Sequence, residues 1–269
     1  MTPDVSRRTP DASTPDASTL ADASLAREIA LEAGALLNNI RRAWTGDGAA
    51  LGDRGDAEAN RLIIDRLRAA RPDDFILSEE SHDDRKRCAA QRVWIIDPLD
   101  GTREYAAARD DWAVHIGLAV DGVARVGAVA LPACDRIFAT DDAPLSLGAL
   151  PARPRMVVSR SRTPAIARAV AGAIGADMVP MGSAGAKAMA VVAGDADIYL
   201  HAGGQYEWDN CAPAAVALAA GFHASRIDGA PLVYNCTEPL LPDLLICRAE
   251  LAASVLAAIR RLRPAPGPA

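Results

Sequence analysis

Residues 92–102 read RVWIIDPLDGT: a continuous apolar run of strand length that ends on Asp97 and is followed, across a proline, by Asp100, Gly101 and Thr102. An apolar strand fixes its last residue at the edge of a sheet, so whatever packs the strand also places these carboxylates. Asp97 and Asp100 are three positions apart with Pro98 between them, so both can turn toward one cation, and the Leu99 carbonyl can join them in the same turn. Gly101 lets the backbone approach a ligand closely. Thr102 suits the N-cap of a short helix beginning near Arg103, with free N–H groups aimed at a phosphate. Taken alone, an Asp-Gly-Thr is an ordinary strand-ending turn.

Working outward, a second acidic strand end lies upstream, where FILS runs into Glu79 and Glu80. Several carboxylates meeting at one sheet edge repel one another unless a cation is present. Mg²⁺ takes octahedral oxygen ligands and keeps some waters, so a few carboxylates and a carbonyl suit it. Asp209, in Glu207-Trp208-Asp209, precedes an alanine-rich helix, and Asp56 stands at the start of an amphipathic one. For either of them, helix capping alone is a sufficient explanation. Periodicity does not show that these four segments meet.

The rest of the chain sets the fold class. Helical spacing runs from about Leu20 to Ala43 and from about Asp56 to Ala70, where Arg71-Pro72 stops it. WAVHIGLAV, VARVGAVALP and RIFAT read as strands, with Asp121-Gly122 as a hairpin turn between the first two. Residues 140–154 are rich in Pro, Gly and Asp and read as a link between two halves. MVVSR opens the second half as a strand, followed by a helix near 163–174, SAGAKAMAVVAG as a helix and ADIYLHA as a strand. A helix at about 210–220, a hairpin around Asp228-Gly229, the strand LLICRA and a terminal helix complete it. Blocks of helices alternating with mixed strands imply a layered α/β or α+β architecture. The organisation expected is one domain over 20–262, with halves of about 20–145 and 155–262. Tails at 1–19 and 263–269 carry too little apolar side chain to offset their ordering entropy.

Composition narrows the function classes. Of 269 residues, 50% are hydrophobic, enough for a sizeable core. A net charge of −6 with no Lys/Arg cluster argues against a nucleic-acid polymer as partner. Five widely spaced cysteines without a Cys-x-x-Cys pair read as reduced thiols rather than disulfides or a zinc site. No apolar run is long enough for a membrane span, and Arg7-Arg8 has no apolar stretch after it, so a cytoplasmic protein is expected.

WIIDPLDGTREY resembles the first signature of the inositol monophosphatase superfamily, which are magnesium-dependent, lithium-sensitive phosphatases. Ser78-Glu79-Glu80 matches the acidic pair upstream of it, and EWDNCAPAAVALAAG matches the second signature. LSEESHDD, RDDWAVHI, GSAGAKAMAV, YLHAGGQYEWD and ASRIDGAPLVYN are most similar to the CysQ-type 3′(2′),5′-bisphosphate nucleotidases, in their actinobacterial branch. The likeness covers nearly the whole chain after about residue 20. It implies an αβαβα sandwich of the inositol monophosphatase/fructose-1,6-bisphosphatase type. The implied reaction is removal of the 3′-phosphate of 3′-phosphoadenosine 5′-phosphate, with 3′-phosphoadenosine 5′-phosphosulfate as a further substrate, in sulfate assimilation. Inositol 1-phosphate and fructose 1,6-bisphosphate stay open as alternative substrates. So does a non-catalytic metal- or nucleotide-binding regulator on the same fold.

Carried over position by position, the resemblance implies two or three Mg²⁺ ions. Glu79, Asp97 and the Leu99 carbonyl would hold one; Asp97, Asp100 and Asp209 would hold a second. Asp56 with Thr102 would position water and contribute to a third, and Glu79 is a further candidate proton acceptor. Gly101 and Thr102 would bind the scissile phosphate. Ser183, Gly185 and Lys187 match an element near the leaving group, and Ser159 and Arg160 match one beside the nucleotide, where a cation would pair with the other phosphate. AALGDRGD departs from the family pattern ahead of Asp56. Homodimers are common in the superfamily, which leaves a dimer open. Of the histidines, His115 reads as a hydrogen-bonded core residue, His201 lies near the expected pocket, and His82 and His223 read as surface loops. Trp112 and Trp208 read as packing anchors.

Overall fold

The structure, a computed structural model, describes residues 16–143, 145 and 147–262. The proposed tail at 263–269, residues 1–15 of the N-terminal one, and residues 144 and 146 of the linker lie outside them. The tail boundary at residue 19 is corrected: helix α1 (Ala17–Ala43) begins earlier, because the Asp16 side chain accepts the Thr19 N–H at 2.7 Å and caps it. Helix α2 (Gly48–Ala70) likewise starts ahead of its apolar periodicity, capped by Asp47. Asp56 is therefore well inside α2 and caps nothing.

Strands β1 (Phe75–Ser78), β2 (Arg92–Asp100), β3 (Ala113–Val120), β4 (Val123–Leu131) and β5 (Arg136–Ala139) form the first sheet in sequence order. β1 runs parallel to β2 and the remaining pairs are antiparallel. Asp121 and Gly122 turn the β3–β4 hairpin with φ of 51° and 75°, the left-handed pair that matches strand twist. A one-turn helix α3 (Thr102–Ala106) follows β2.

The second sheet has the order β7-β6-β8-β10-β9, from β6 (Arg155–Ser159), β7 (Asp177–Met181), β8 (Ile198–Tyr206), β9 (His223–Ser225) and β10 (Leu240–Cys247). β7, absent from the sequence reading, is an edge strand, where Pro180 removes no interior hydrogen bond. The expected hairpin at Asp228-Gly229 is a local turn, closed by Arg226 N–H to the Ala230 carbonyl, and the strand that pairs with β9 starts only at Leu240. His223 accordingly sits in β9 rather than in a loop. Helices α4 (Ala165–Ile174), α5 (Ala184–Val192), α6 (Glu207–Ala219) and α7 (Ala249–Leu262) complete the chain.

The helices separate into layers. α1 and α2 cover one face of the first sheet, α5 and α6 lie between the two sheets, and α4 and α7 pack on the outer face of the second. This is the expected αβαβα sandwich. Apolar residues on both faces of β2 leave it buried along nearly its whole length, so its acidic end is delivered into the interior by packing.

Candidate active site

β2 changes parity at its acidic end. Trp94 and Ile96 face the α1/α2 core, while Val93 and Ile95 face the side of Cys211 in α6. Strict alternation would send Asp97 toward α6 and Asp100 away from it. Between them, however, β2 advances three residues (Asp97 to Asp100) while β3 advances two (His115 to Ala113). Pro98, which lacks an N–H, sits in this bulge. Leu99 then packs into the α1/α2 core and Asp100 turns back to the side of Asp97. Asp97, Asp100 and Asp209 bring one carboxylate oxygen each to within 4.8 Å of one another.

Asp209 is in the first turn of α6 and accepts the Tyr206 N–H at 2.6 Å; it caps the helix from the third position, with Tyr206 as the N-cap residue, and joins the cluster as well. Glu79 follows β1, continuing its ladder with an N–H bond to the Ile96 carbonyl at 3.3 Å. As a residue Glu79 is exposed, yet its carboxyl faces Asp97.

The electrostatics are those of crowded anions. At an effective dielectric of about 20, two like charges about 4 Å apart repel by ~4 kcal/mol. Burial, then the charges of Glu79, Asp100 and Asp209, hold the Asp97 carboxyl well above the usual range. Loss of solvent and the Asp209 charge push Glu79 up to about 7. Burial and Asp100 raise Asp209 to about 6. Asp100 alone is compensated. Burial opposes its charge, but His115, Lys187 and the Ser183 hydroxyl outweigh it and hold Asp100 well below the usual range.

That compensation comes from the start of α5. The Ala184 and Gly185 N–H groups donate to Asp100 at 3.1 and 2.6 Å, and the Ser183 hydroxyl donates to it while accepting the Ala186 N–H. Ser183 adopts φ 48°, a strained conformation costing about 1–3 kcal/mol. Lys187 is buried, its ammonium donating to the Gly182 and Ser183 carbonyls and lying 5.3 Å from the Tyr199 ring centre. Its charge thus stands behind the cluster rather than in an open cleft. His115 is fully buried, as expected, with Nδ1 donating to the Trp208 carbonyl at 3.0 Å. It does more than pack: Nε2 faces Asp100 at 3.3 Å, an ion contact outside hydrogen-bond geometry.

Asp56 reaches the site from α2. A Cβ at Gly52 would lie 2.7 Å from Thr102 Cγ2, and one at Gly55 would lie 3.0 Å from Leu99 Cδ2. The glycines of AALGDRGD therefore let α2 press against the DPLDGT turn. Asp56 is buried, with Oδ1 lacking any hydrogen-bond partner. Burial and then the charges of Glu80 and Glu79 push it up to about 8, with Thr102 pulling the other way. Glu80 was not singled out as a site residue; its place beside Glu79 in the acidic pair was the available signal. Gly101, at φ 91°, is the N-cap of α3, and Thr102 is its first residue. The Thr102 hydroxyl donates to the Leu99 carbonyl at 3.1 Å instead of capping.

Of the second-half candidates, Ser159 and Arg160 bond to groups outside the carboxylate cluster. Ser159 Oγ accepts the Arg162 N–H at 3.2 Å. Arg160 pairs with Asp111 at 3.0 Å and with Glu104, so its charge is already balanced. His201 Nε2 lies 3.0 Å from the Gly204 carbonyl. Trp112 is fully buried in edge contact with Tyr105, whereas Trp208 is half-buried and stacks on Tyr206. A cavity of about 520 Å³ lined by Ile137, Phe138, Val192, Val216 and Ala220 shares no residue with the carboxylates.

Excess buried anions, an orphaned Asp56 oxygen and three convergent carboxylates make a donor set for hard divalent cations. A five-layer sandwich with this cluster at a strand end defines a metal-dependent phosphatase scaffold, and the chain belongs to the inositol monophosphatase family, whose sequence profile matches residues 22–262. Among named relatives, the 3′-phosphoadenosine 5′-phosphate phosphatase of Mycobacterium leprae (strain TN) is 52% identical over 257 residues, covering 90% of this chain and 95% of that protein. The 3′(2′),5′-bisphosphate nucleotidase CysQ of Escherichia coli (strain K12) is 32% identical over 197 residues, covering 69% and 80%. In fold, the CysQ of Bacteroides thetaiotaomicron superposes with a TM-score of 0.74 at 23% identity, over 85% of this chain and 97% of that one. An inositol monophosphatase from Anabaena (Nostoc) sp. PCC 7120 gives 0.74 at 22%, over 92% and 98%. Among the described residues no helix is long and apolar enough to cross a membrane, and all five cysteines are unpaired.

Proposed function

We propose that the protein is a Mg²⁺-dependent phosphomonoesterase that converts 3′-phosphoadenosine 5′-phosphate to AMP, with 3′-phosphoadenosine 5′-phosphosulfate as a secondary substrate, in cytoplasmic sulfur assimilation. The observation that carries this reading is 52% identity to a protein of that named activity over nearly its whole length, a span that includes every carboxylate of the cluster.

Glu79, Asp97, Asp100, Asp209 and the Leu99 carbonyl would hold two Mg²⁺ ions, and Asp56 would contribute to a third. Bound there, Mg²⁺ supplies the positive charge that offsets the phosphate and makes a water acidic at neutral pH. Phosphate-ester hydrolysis passes through a loose transition state, so the chain's part is mostly positioning. Gly101 and Thr102 line the approach of the scissile phosphate. Thr102, tied to the Leu99 carbonyl, orients the attacking water toward Asp56. Asp56, which faces Thr102, or Glu79, which faces Asp97, would take the proton. Ser183, Gly185 and Lys187 hold Asp100 from behind on the leaving-group side. Ser159 and Arg160 border the position of the second phosphate, with Arg160 released from Glu104 and Asp111 on contact.

The test compares kcat/KM on 3′-phosphoadenosine 5′-phosphate, inositol 1-phosphate and fructose 1,6-bisphosphate, with and without Mg²⁺. The nucleotide is expected to lead by a clear margin; equal or better rates on either sugar phosphate refute the assignment. Asp209→Asn keeps an acceptor for the Tyr206 N–H but removes a ligand charge, so turnover that survives it, or that needs no divalent cation, refutes the metal site.

A further inference from the structure

Three of the four tyrosines are buried: Tyr105 is 0% exposed, Tyr199 1% and Tyr234 3%, whereas Tyr206 is 47% exposed. Tyr206 is also the residue whose backbone N–H holds Asp209. Its ring stacks on Trp208, centroids 4.6 Å apart and planes 7° from parallel. Trp208 packs against the apolar cluster that includes Leu77 and Leu241, and its carbonyl accepts from His115. One face of the tyrosine ring is thus braced by a second ring, and its exposure leaves the other face to solvent. Directly across the ladder stands Leu240, itself 55% exposed.

An exposed tyrosine and leucine side by side cost solvation that packing them inward would avoid, and their place is one turn from a cluster carboxylate. We infer that the free face of Tyr206, braced by Trp208 and bordered by Leu240, is the platform on which the substrate's nucleobase stacks. A base offers a flat π face with little charge, which suits an aromatic shelf, while the phosphate seeks the cations held by the carboxylates. This inference rests on the nucleotide reading above and adds to it the residue that recognises the base.

Both reaction products serve as probes, because AMP carries the base and inorganic phosphate does not. In Tyr206→Ala the backbone N–H to Asp209 is retained. The inhibition constant of AMP and the KM for 3′-phosphoadenosine 5′-phosphate should both rise about tenfold, the scale of one stacked base, while the inhibition constant of phosphate holds. Tyr206→Phe keeps the ring and should restore AMP binding. Equal weakening of AMP and phosphate, or unaltered AMP binding in Tyr206→Ala, overturns the stacking role with the nucleotide assignment intact. A wild-type enzyme that prefers inositol 1-phosphate overturns the nucleotide assignment itself.

Discussion

A methyl group at position 185 should undo the support of Asp100. Built on the Gly185 backbone, a Cβ would lie 2.1 Å from His115 Nε2 and 3.0 Å from the Ala113 Cβ. The imidazole cannot swing clear, because it is fully buried and tied to the Trp208 carbonyl. In Gly185→Ala the start of α5 must therefore retreat from β3, stretching the 2.6 Å and 3.1 Å bonds from the Gly185 and Ala184 N–H groups to Asp100. Overpacking a tight site costs about 1–3 kcal/mol. Weakening a hydrogen bond to a buried charge costs about 1.5–3 kcal/mol. Together they give about 2.5–6 kcal/mol, or a Tm lowered by roughly 5–24 °C in a chain of this size. Thermal unfolding of the metal-free protein measures this. A Tm within about 2 °C of wild type refutes the reasoning. The cause can be isolated in a His115→Ala background, where the ring is gone and adding Gly185→Ala should cost at least about 1 kcal/mol less. Strict additivity would mean that the imidazole is not what Gly185 makes room for.

Asp97→Asn should raise the Tm of the metal-free protein while cutting turnover by about 100-fold or more, since it relieves repulsion but removes a ligand charge; its Oδ1 still accepts the Leu99 N–H. A lowered Tm would contradict the crowding. Stability of the metal-free protein should also fall with pH. Asp209, Glu79 and Asp56 are raised to about 6, 7 and 8 from ordinary values near 4, so the folded state holds protons that the unfolded state has released. Stability present at about pH 4 is then lost progressively up to about pH 8, and saturating Mg²⁺ should flatten the loss. A metal-free Tm that climbs across that range refutes the sign.

Much of the fold was legible in periodicity. Buried, near-continuous strands such as RVWIID and the amphipathic run of α1 carry the pattern that their burial requires. What escaped was set by partners distant in sequence. The start of α2 looks unlike a helix, with two glycines and two aspartates within AALGDRGD, because its small residues answer to Thr102 and Leu99 rather than to helix propensity. β7 escaped because DMVPM has an edge strand's tolerance of proline and little inward burial. In the site, each carboxylate had a local explanation by itself, and only resemblance brought them together. His115 shows the opposite limit. Its burial followed from the apolar strand around it, but its contact with Asp100 depends on a bulge in the neighbouring strand.

That bulge has a consequence for how the chemistry was built in. Nothing in the sandwich requires it: with one residue fewer between Asp97 and Asp100, β2 and β3 would pair without interruption. The sheet would gain a regular ladder, and the second aspartate would still face α6. What the regular strand loses is Leu99 as a separate plug into the α1/α2 core, with its carbonyl left for Thr102. The extra residue breaks the ladder and leaves the Leu99 carbonyl to the Thr102 hydroxyl, beside the carboxylates. A chain with that residue deleted should keep its sheet and lose the turn that sets Leu99 and Thr102 beside the carboxylates.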